Sequence, residues 1–285
     1  MNVLSIQSWV AYGHVGNASA VFPLQRMGVE VWAVNTVQFS NHTGYGQWRG
    51  QVYTGDSIRE LIGGIDERGV LPTCDGVLSG YMGDAGIGEA ILDAVGRVRA
   101  ANSKAIYCCD PVIGDVGRGV FVRPGIPEFM RDRAVPAANV VTPNLFELQY
   151  LSGREVNNRS DLADAINAVH ALGPKIVMVT SVQTDETPGD SADVVLSDGA
   201  NLLRIRTPLL PININGAGDA IAALFLGKLL QDGSPEAALV HAVSATYGLL
   251  KQTAEAGSRE ILTVAAQDEF VRPTKLFTVE HLKAW

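Results

Sequence analysis

The stretch GVLSGYMGDAGIGEAILDAVGRVRAANSKAIYCCDP, residues 76–111, decides the fold. Its first four residues, Gly76–Ser79, read as a buried strand. Ala85–Ala101 has the length and apolar spacing of a helix, and Lys104–Cys109 is a second apolar strand that ends at Asp110-Pro111. Strand, helix and strand in one short run form a crossover unit, which belongs to a mostly parallel sheet.

The same rhythm continues on both sides. Val3–Ile6 is a short strand, and Asn17 is placed to cap a helix carrying Ala18, Val21, Leu24 and Met27 on one face. Glu30–Val37 alternates and is rich in β-branched residues, as a strand should be. Ser57 with Glu60 three residues later reads as a capping box. Downstream come a strand at Ala138–Val141, a helix at Asn144–Leu151, a helix at Leu162–Leu172 and a strand at Ile176–Thr180. Asp193–Leu196 and Asn201–Ile205 flank Asp198-Gly199, a hairpin signal. The last third is helical, with Gly216–Leu230 and Glu236–Gln252 separated by Gly233-Ser234-Pro235.

This alternation predicts an α/β fold, a three-layer α/β/α sandwich around a mostly parallel sheet, with residues 1–285 as a single domain. One segment breaks the rhythm. Gln38–Val52 has no helical period and reads as a small β-flap covering a site. In such sheets ligands bind beyond the carboxyl ends of the strands. Polar residues cluster there: Ser8 after the first strand, Asp110 after Cys109, Asn144 after Val141, and Thr180-Ser181 after Val179.

Composition narrows the function. The net charge of −8 argues against a nucleic-acid or anionic-membrane partner, since phosphate neutralisation needs clustered Lys and Arg. A small anion remains compatible, because backbone amides can hold it. The three cysteines, Cys74, Cys108 and Cys109, show no metal-binding spacing, and the last two lie in an apolar strand. No apolar run approaches the ~18 residues of a membrane helix. The N-terminus lacks a basic region, a long apolar core and a small-residue cleavage site, so a soluble, cytoplasmic protein is expected.

Asn215-Gly216-Ala217-Gly218-Asp219, directly before a long apolar helix, is the sharpest chemical motif. Glycines at a helix start leave backbone N–H groups free, and the helix dipole adds positive charge, which together make an anion hole. A carboxylate there can accept a proton from a hydroxyl attacking phosphorus. Capping of the helix by Asp219 is the plain alternative. The P-loop pattern and the complete protein-kinase signature set are both absent.

The Gly216–Asp219 motif resembles the GxGD signature of the ribokinase-like sugar and vitamin kinases. Further stretches narrow the likeness: Leu4–Ser8, Gly13–Asn17, Val37–Tyr45, Ser79-Gly80-Tyr81, Cys109–Val112, and Thr142-Pro143-Asn144 with Glu147. They span positions 4 to 219 in order and are similar to the pyridoxal kinase family. The resemblance implies a ribokinase-like fold and ATP-dependent phosphorylation of the 5′-hydroxyl of pyridoxal, giving pyridoxal 5′-phosphate in vitamin B6 salvage. Pyridoxine and pyridoxamine are further candidate substrates.

The resemblance also implies roles. Asp219 is the expected base, and the amides of Gly216, Ala217 and Gly218 hold the transferring phosphoryl group. Asp110 and Glu147 organise Mg²⁺, partly through water. Thr142, Asn144, Thr180 and Ser181 line the nucleotide phosphates and a monovalent-cation region, with K⁺ the expected ion. Ser8, Val15, Phe39, Thr43 and Tyr81 hold the vitamer. Gly114–Gly119 is a loop over ATP, with Asp115 near the phosphates and Arg118 as a weaker candidate cation. A homodimer is implied in the same way.

Local readings compete with several of these roles. Asp110-Pro111 suits a strand-ending turn, and Asn144 with Glu147 suits a capping box. Trp9 stands where the family commonly has histidine, and an indole beside Ser8 is expected either to narrow the pocket or to pack in the core or at a subunit contact. The acidic loop Gln183–Asp190 diverges from relatives. A hydroxymethylpyrimidine kinase of the same superfamily and a non-catalytic vitamer-binding protein are the alternative functions.

Overall fold

The computed structural model describes residues 1–282, so the last three residues of the expected 1–285 domain lie outside the described residues. The chain opens with β1 (Asn2–Val10), α1 (Asn17–Arg26), β2 (Glu30–Phe39), β3 (Gly50–Val52) and α2 (Gly55–Asp66). It continues with β4 (Cys74–Ser79), α3 (Ala85–Ala101), β5 (Ile106–Cys109) and a small hairpin of β6 (Gly114–Asp115) and β7 (Gly119–Val120). The short turns α4 (Ile126–Phe129) and α5 (Val135–Ala137) lead to β8 (Val140–Val141), α6 (Leu145–Ser152) and α7 (Arg159–Leu172). Then follow β9 (Ile176–Val182), β10 (Ser191–Ser197), β11 (Leu202–Pro208), α8 (Ala217–Asp232), α9 (Pro235–Glu255) and β12 (Glu280–Leu282).

Among the described residues ten strands form one sheet in the order β12-β11-β10-β9-β8-β5-β4-β1-β2-β3. The pairs from β2 through β1, β4, β5 and β8 to β9 are parallel. The outer pairs are antiparallel, β3 on β2 at one edge and β10, β11 and β12 at the other. This is the expected mostly parallel three-layer sandwich. The Asp198-Gly199 turn joins β10 to β11 as the sequence predicts, with Gly199 at φ 85°.

Strand alternation sorts the core into two layers. Leu4, Ile6, Tyr107 and Cys109 pack with α2, α3, α6 and α7. Val3, Leu78, Cys108 and Met178 pack with α1, α8 and α9 on the other face. The three free cysteines are buried in this packing, and burial pushes the Cys108 thiol well above its usual range.

Two helix starts differ from expectation. Asn17 does not cap α1. The cap position is Gly16, and the fully buried Asn17 amide bonds Ser5 Oγ at 2.7 Å, Asn35 Oδ1 at 2.9 Å and Val34 O at 3.0 Å. A buried polar side chain must be satisfied, so Asn17 stitches α1 to β1 and β2 instead. The buried positions of α1 are accordingly Asn17, Ser19, Ala20, Pro23 and Leu24. Helix α2 is capped by Thr54, which accepts the Ser57 amide at 3.1 Å, so Ser57 lies inside the helix rather than at its cap.

The expected flap is present in reduced form. β2 runs to Phe39, a single tight turn spans Thr43–Tyr45, and β3 returns antiparallel along Val37–Phe39. Trp48 stacks on Phe39 with ring centroids 4.1 Å apart, which seats the flap on the end of the sheet.

Candidate active site

A cavity of about 540 Å³ lies beyond the carboxyl ends of the parallel strands. It is lined by Ser8, Val15, Phe39, Thr43 and Tyr81, and by Asp110, Asp115, Thr142, Asn144, Glu147, Thr180 and Ser181. Gly216, Ala217, Gly218 and Asp219 form a further part of its wall. Every site residue expected from the sequence therefore meets in one cavity.

Helix α8 supplies that wall. Gly216 is its N-cap at φ 93°, a backbone conformation that suits glycine, and a Cβ there would collide with His14 O. The helical ladder begins with Ala220 N–H on Gly216 O at 3.1 Å, so the amides of Gly216, Ala217 and Gly218 precede it. Asp219 sits in the first turn and is not the cap. The backbone amides of Gly16 and of Asp219 itself face its carboxylate and favour the charged form. Burial nevertheless pushes its pKa up to about 6. Gly16, at φ 56°, has no room for a side chain against Ser8.

The acidic centre is built from the ends of β5 and β8. Thr142 Oγ1 donates to Asp110 Oδ1 at 2.9 Å. Burial raises the Asp110 pKa well above the usual carboxylate range, and Glu147 and Asp219 add repulsion. Glu147 forms a capping box with Asn144, accepting the Asn144 amide at 3.0 Å while Asn144 Oδ1 accepts the Glu147 amide at 2.9 Å. Its other oxygen accepts the Ile113 amide at 2.8 Å and the Gly114 amide at 3.4 Å. Burial raises its pKa to about 7 against these donors. The local capping role and a place on the cavity wall are thus both true of Glu147.

Asn144 Nδ2 donates to Gly114 O at 2.8 Å, tying the β6–β7 hairpin to α6. Thr180 bridges Asn144 beyond the end of the parallel ladder, and Ser181 next to it holds φ 53°. Among the described residues it is the only non-glycine in that region, a strained conformation of the kind found at ligand sites.

Among the described residues no three His, Cys, Asp or Glu side chains form a metal-ligand cluster. Asp110 with Glu147 is a pair of buried acids. Such a pair fits a cation that completes its shell with water and phosphate oxygens, as Mg²⁺ does.

Sequence reasoning missed part of the wall. His42, Phe121, the segment Thr207–Asn215, and Val243, Thr246, Tyr247 and Leu250 of α9 also line the cavity. The signal available was the apolar, proline-flanked run Pro208–Ile212 with no strand or helix pattern. Arg118 is the sole Lys or Arg among the described lining residues. Trp9 is not on the wall. Ser8 and Val10 line the cavity, so Trp9 between them projects the other way, and the expected narrowing of the pocket by its indole does not occur.

A glycine-built helix start with free amides, a carboxylate in its first turn and a pair of buried acids share this cavity, an arrangement suited to a kinase that transfers phosphate to an alcohol. The comparisons with known proteins narrow it. Residues 73–264 match the family model described as phosphomethylpyrimidine kinase. The pyridoxal kinase PdxY of Granulibacter bethesdensis is 63% identical over 284 residues, covering 97% of this chain and 98% of that protein. The pyridoxal kinase PdxY of Deinococcus radiodurans is 55% identical over 291 residues, covering 99% and 97%. The structure of pyridoxal kinase from Leishmania donovani in complex with ADP and pyridoxamine is similar with a TM-score of 0.92 and 30% identity, covering 99% of both chains. The chain belongs to the pyridoxal kinase family, and its fold is ribokinase-like.

Proposed function

We propose that this chain transfers the γ-phosphoryl group of ATP to the 5′-hydroxyl of pyridoxal, as a single kinase domain. The observation that carries the reading is the meeting of Asp219, the Gly216–Gly218 amides and the Asp110–Glu147 pair in one cavity beside a flap-covered end.

The steps follow from the side chains. Asp219 accepts the proton of the 5′-hydroxyl, whose oxygen attacks the γ-phosphorus while the bond to the β-phosphate oxygen breaks and ADP leaves. The amides of Gly216, Ala217 and Gly218 hold the charge spread over the transferring oxygens. Asp110 and Glu147 would hold Mg²⁺, which would supply positive charge against the phosphates. Thr142, Asn144, Thr180 and Ser181 line the phosphate path, where K⁺ would sit, and Asp115 and Arg118 close it from the β6–β7 hairpin. Ser8 and Thr43 supply hydrogen bonds to the polar edge of the pyridine ring, with Val15, Phe39 and Tyr81 against its face. Closing the flap excludes water that Asp219 would otherwise activate against ATP.

Pyridoxine and pyridoxamine are included as acceptors. In the Leishmania donovani structures these vitamers are bound together with ADP. Among the described residues no helix is long and apolar enough to cross a membrane, which supports a cytoplasmic enzyme. A homodimer is proposed on family resemblance. A second reading is phosphorylation of a hydroxymethylpyrimidine, and the related pyrimidine in the family description, phosphomethylpyrimidine kinase, is what keeps it in view.

The test is a Mg²⁺- and ATP-dependent assay with the three vitamers and the pyrimidine. Phosphorylation of pyridoxal at higher kcat/KM than the pyrimidine is expected. Turnover of the pyrimidine alone would replace the reading with the second one.

A further inference from the structure

Glu260 stands where three segments meet, well beyond the family-like motifs that end at Asp219. Its Oε1 accepts the Tyr45 hydroxyl at 2.6 Å. Its Oε2 accepts the His14 amide at 3.2 Å. Tyr45 lies in the tight turn of the flap, and His14 lies in the Gly13–Gly16 loop between β1 and α1. The carboxylate is held in place from its own segment, where Ser258 Oγ accepts the Glu260 amide at 3.2 Å and donates to Glu260 O at 2.6 Å. Gly13, at φ 93°, leaves room for it, since a Cβ there would collide with the carboxylate. The neighbouring Arg259 guanidinium lies 4.2 Å from the centroid of the Tyr45 ring, a second grip on the same residue.

The Gly13–Gly16 loop that Glu260 holds also packs on the start of α8, where the Gly16 amide faces the Asp219 carboxylate. His14 O lies against Gly216, and Ser19 Oγ donates to Gly216 O at 2.8 Å. One carboxylate therefore ties the cover of the vitamer end to the support of the base.

We propose that Glu260 is a positioning residue for phosphoryl transfer: through Tyr45 it latches the flap, and through His14 it sets the loop that orients Asp219. The proposal rests on the kinase reading above. At the flap tip Tyr45 is held by the Glu260 carboxylate, the Arg259 guanidinium and the edge of the Tyr12 ring, while the base of the flap stays tied by the Tyr12 amide on Ser40 O at 2.8 Å, so the tip is the part that opens to admit the vitamer. The loop arm runs from a backbone amide and stays with the folded core. Closure of the flap and presentation of the base are then set from one point, which keeps ATP from water until an acceptor is enclosed.

Backbone hydrogen exchange over residues 40–52 and steady-state kinetics on Tyr45→Phe, Glu260→Ala and the double variant test it. Flap exchange should rise about tenfold in each single variant and no further in the double, because both remove the same contact. Tyr45→Phe should act mainly on KM for pyridoxal, raising it several-fold. Glu260→Ala should raise that KM to the same degree and also lower kcat about tenfold, since the loop arm is lost as well. Unchanged flap exchange overturns the latch. A Glu260→Ala variant with wild-type kcat overturns the positioning of the base, and so does one that loses only thermal stability. If the wild-type protein phosphorylates no vitamer, the functional reading fails, and flap exchange still decides the latch.

Discussion

The main-chain amide of Gly16 faces the carboxylate of Asp219 and favours its charged form, so a loop near the start of the chain meets a carboxylate near the start of α8. The two segments meet because α1 and α8 share one face of the sheet, where Leu24 and Leu224 belong to the same buried layer. The proposed base is thus flanked by two elements rather than by its own helix alone.

Asp219→Asn should lower kcat by roughly 10²–10⁴, the usual worth of a positioned base. KM for ATP and pyridoxal should change far less. Kinetics and a melting curve on the same variant check it. An intact kcat would mean that another group takes the proton.

The rate should depend on pH through the same carboxylate. Its pKa is pushed up to about 6, and a base must be unprotonated to act. The value of kcat/KM should therefore climb as pH rises toward about 6 and level off above it. The limb should vanish in Asp219→Asn. Stability has the opposite sign. The folded state binds the proton more tightly than the unfolded chain, so the contribution of Asp219 is full below about 4 and is lost as pH rises through about 6.

Asp110→Asn and Glu147→Gln should both raise the Mg²⁺ concentration for half-maximal rate, because each removes a charge from an oxygen-ligand site. Their stability effects should differ. Glu147 accepts amides from Ile113, Gly114 and Asn144. A glutamine offers one oxygen in place of two, leaving a buried donor unmet at about 1–3 kcal/mol. Asp110 accepts one side-chain hydrogen bond, from Thr142, so its variant should keep a higher Tm. Mg²⁺ titrations with melting curves separate the two effects.

Ser8→Ala should raise KM for pyridoxal by the equivalent of about 1–3 kcal/mol, and Thr43→Ala, at an exposed position of the flap, by less, with KM for ATP nearly unchanged in both. Both residues line the cavity, and Ser8 is buried. A loss confined to ATP would place the two substrates the other way round.

Trp9→His should leave the ranking of pyridoxal, pyridoxine and pyridoxamine as it is in the wild type. Trp9 pairs with Gln38 and bridges Gly16 through its backbone, while its neighbours Ser8 and Val10 line the cavity. Vitamer kinetics on the single variant check it, and an altered ranking would put the indole in contact with the ring.

Much of this molecule was legible in its residues because the information is local. The strand–helix–strand unit at residues 76–111 needs only alternation and spacing, and β4, α3 and β5 follow it closely. The Gly216–Asp219 motif and the Asn144–Glu147 box are each contained within one turn of helix, so composition and spacing suffice to find them. Boundaries were less legible where tertiary contacts extend an element. β1 runs to Val10 because β2 pairs with it that far, and Asn17 leaves the cap position because the buried gap between β1 and β2 needs its amide.

By itself, then, the sequence determined the layer order, the crossover units, the glycine-built helix start and the set of polar residues at the strand ends, since each depends on near neighbours in the chain. Tertiary structure alone decided what those residues face. It turned Trp9 away from the cavity by strand alternation and placed the unpatterned Thr207–Asn215 segment and one side of α9 on the wall. It also brought Tyr45, His14 and Glu260 together. Contacts between segments so far apart arise from how the layers pack, and no local spacing in the chain records them.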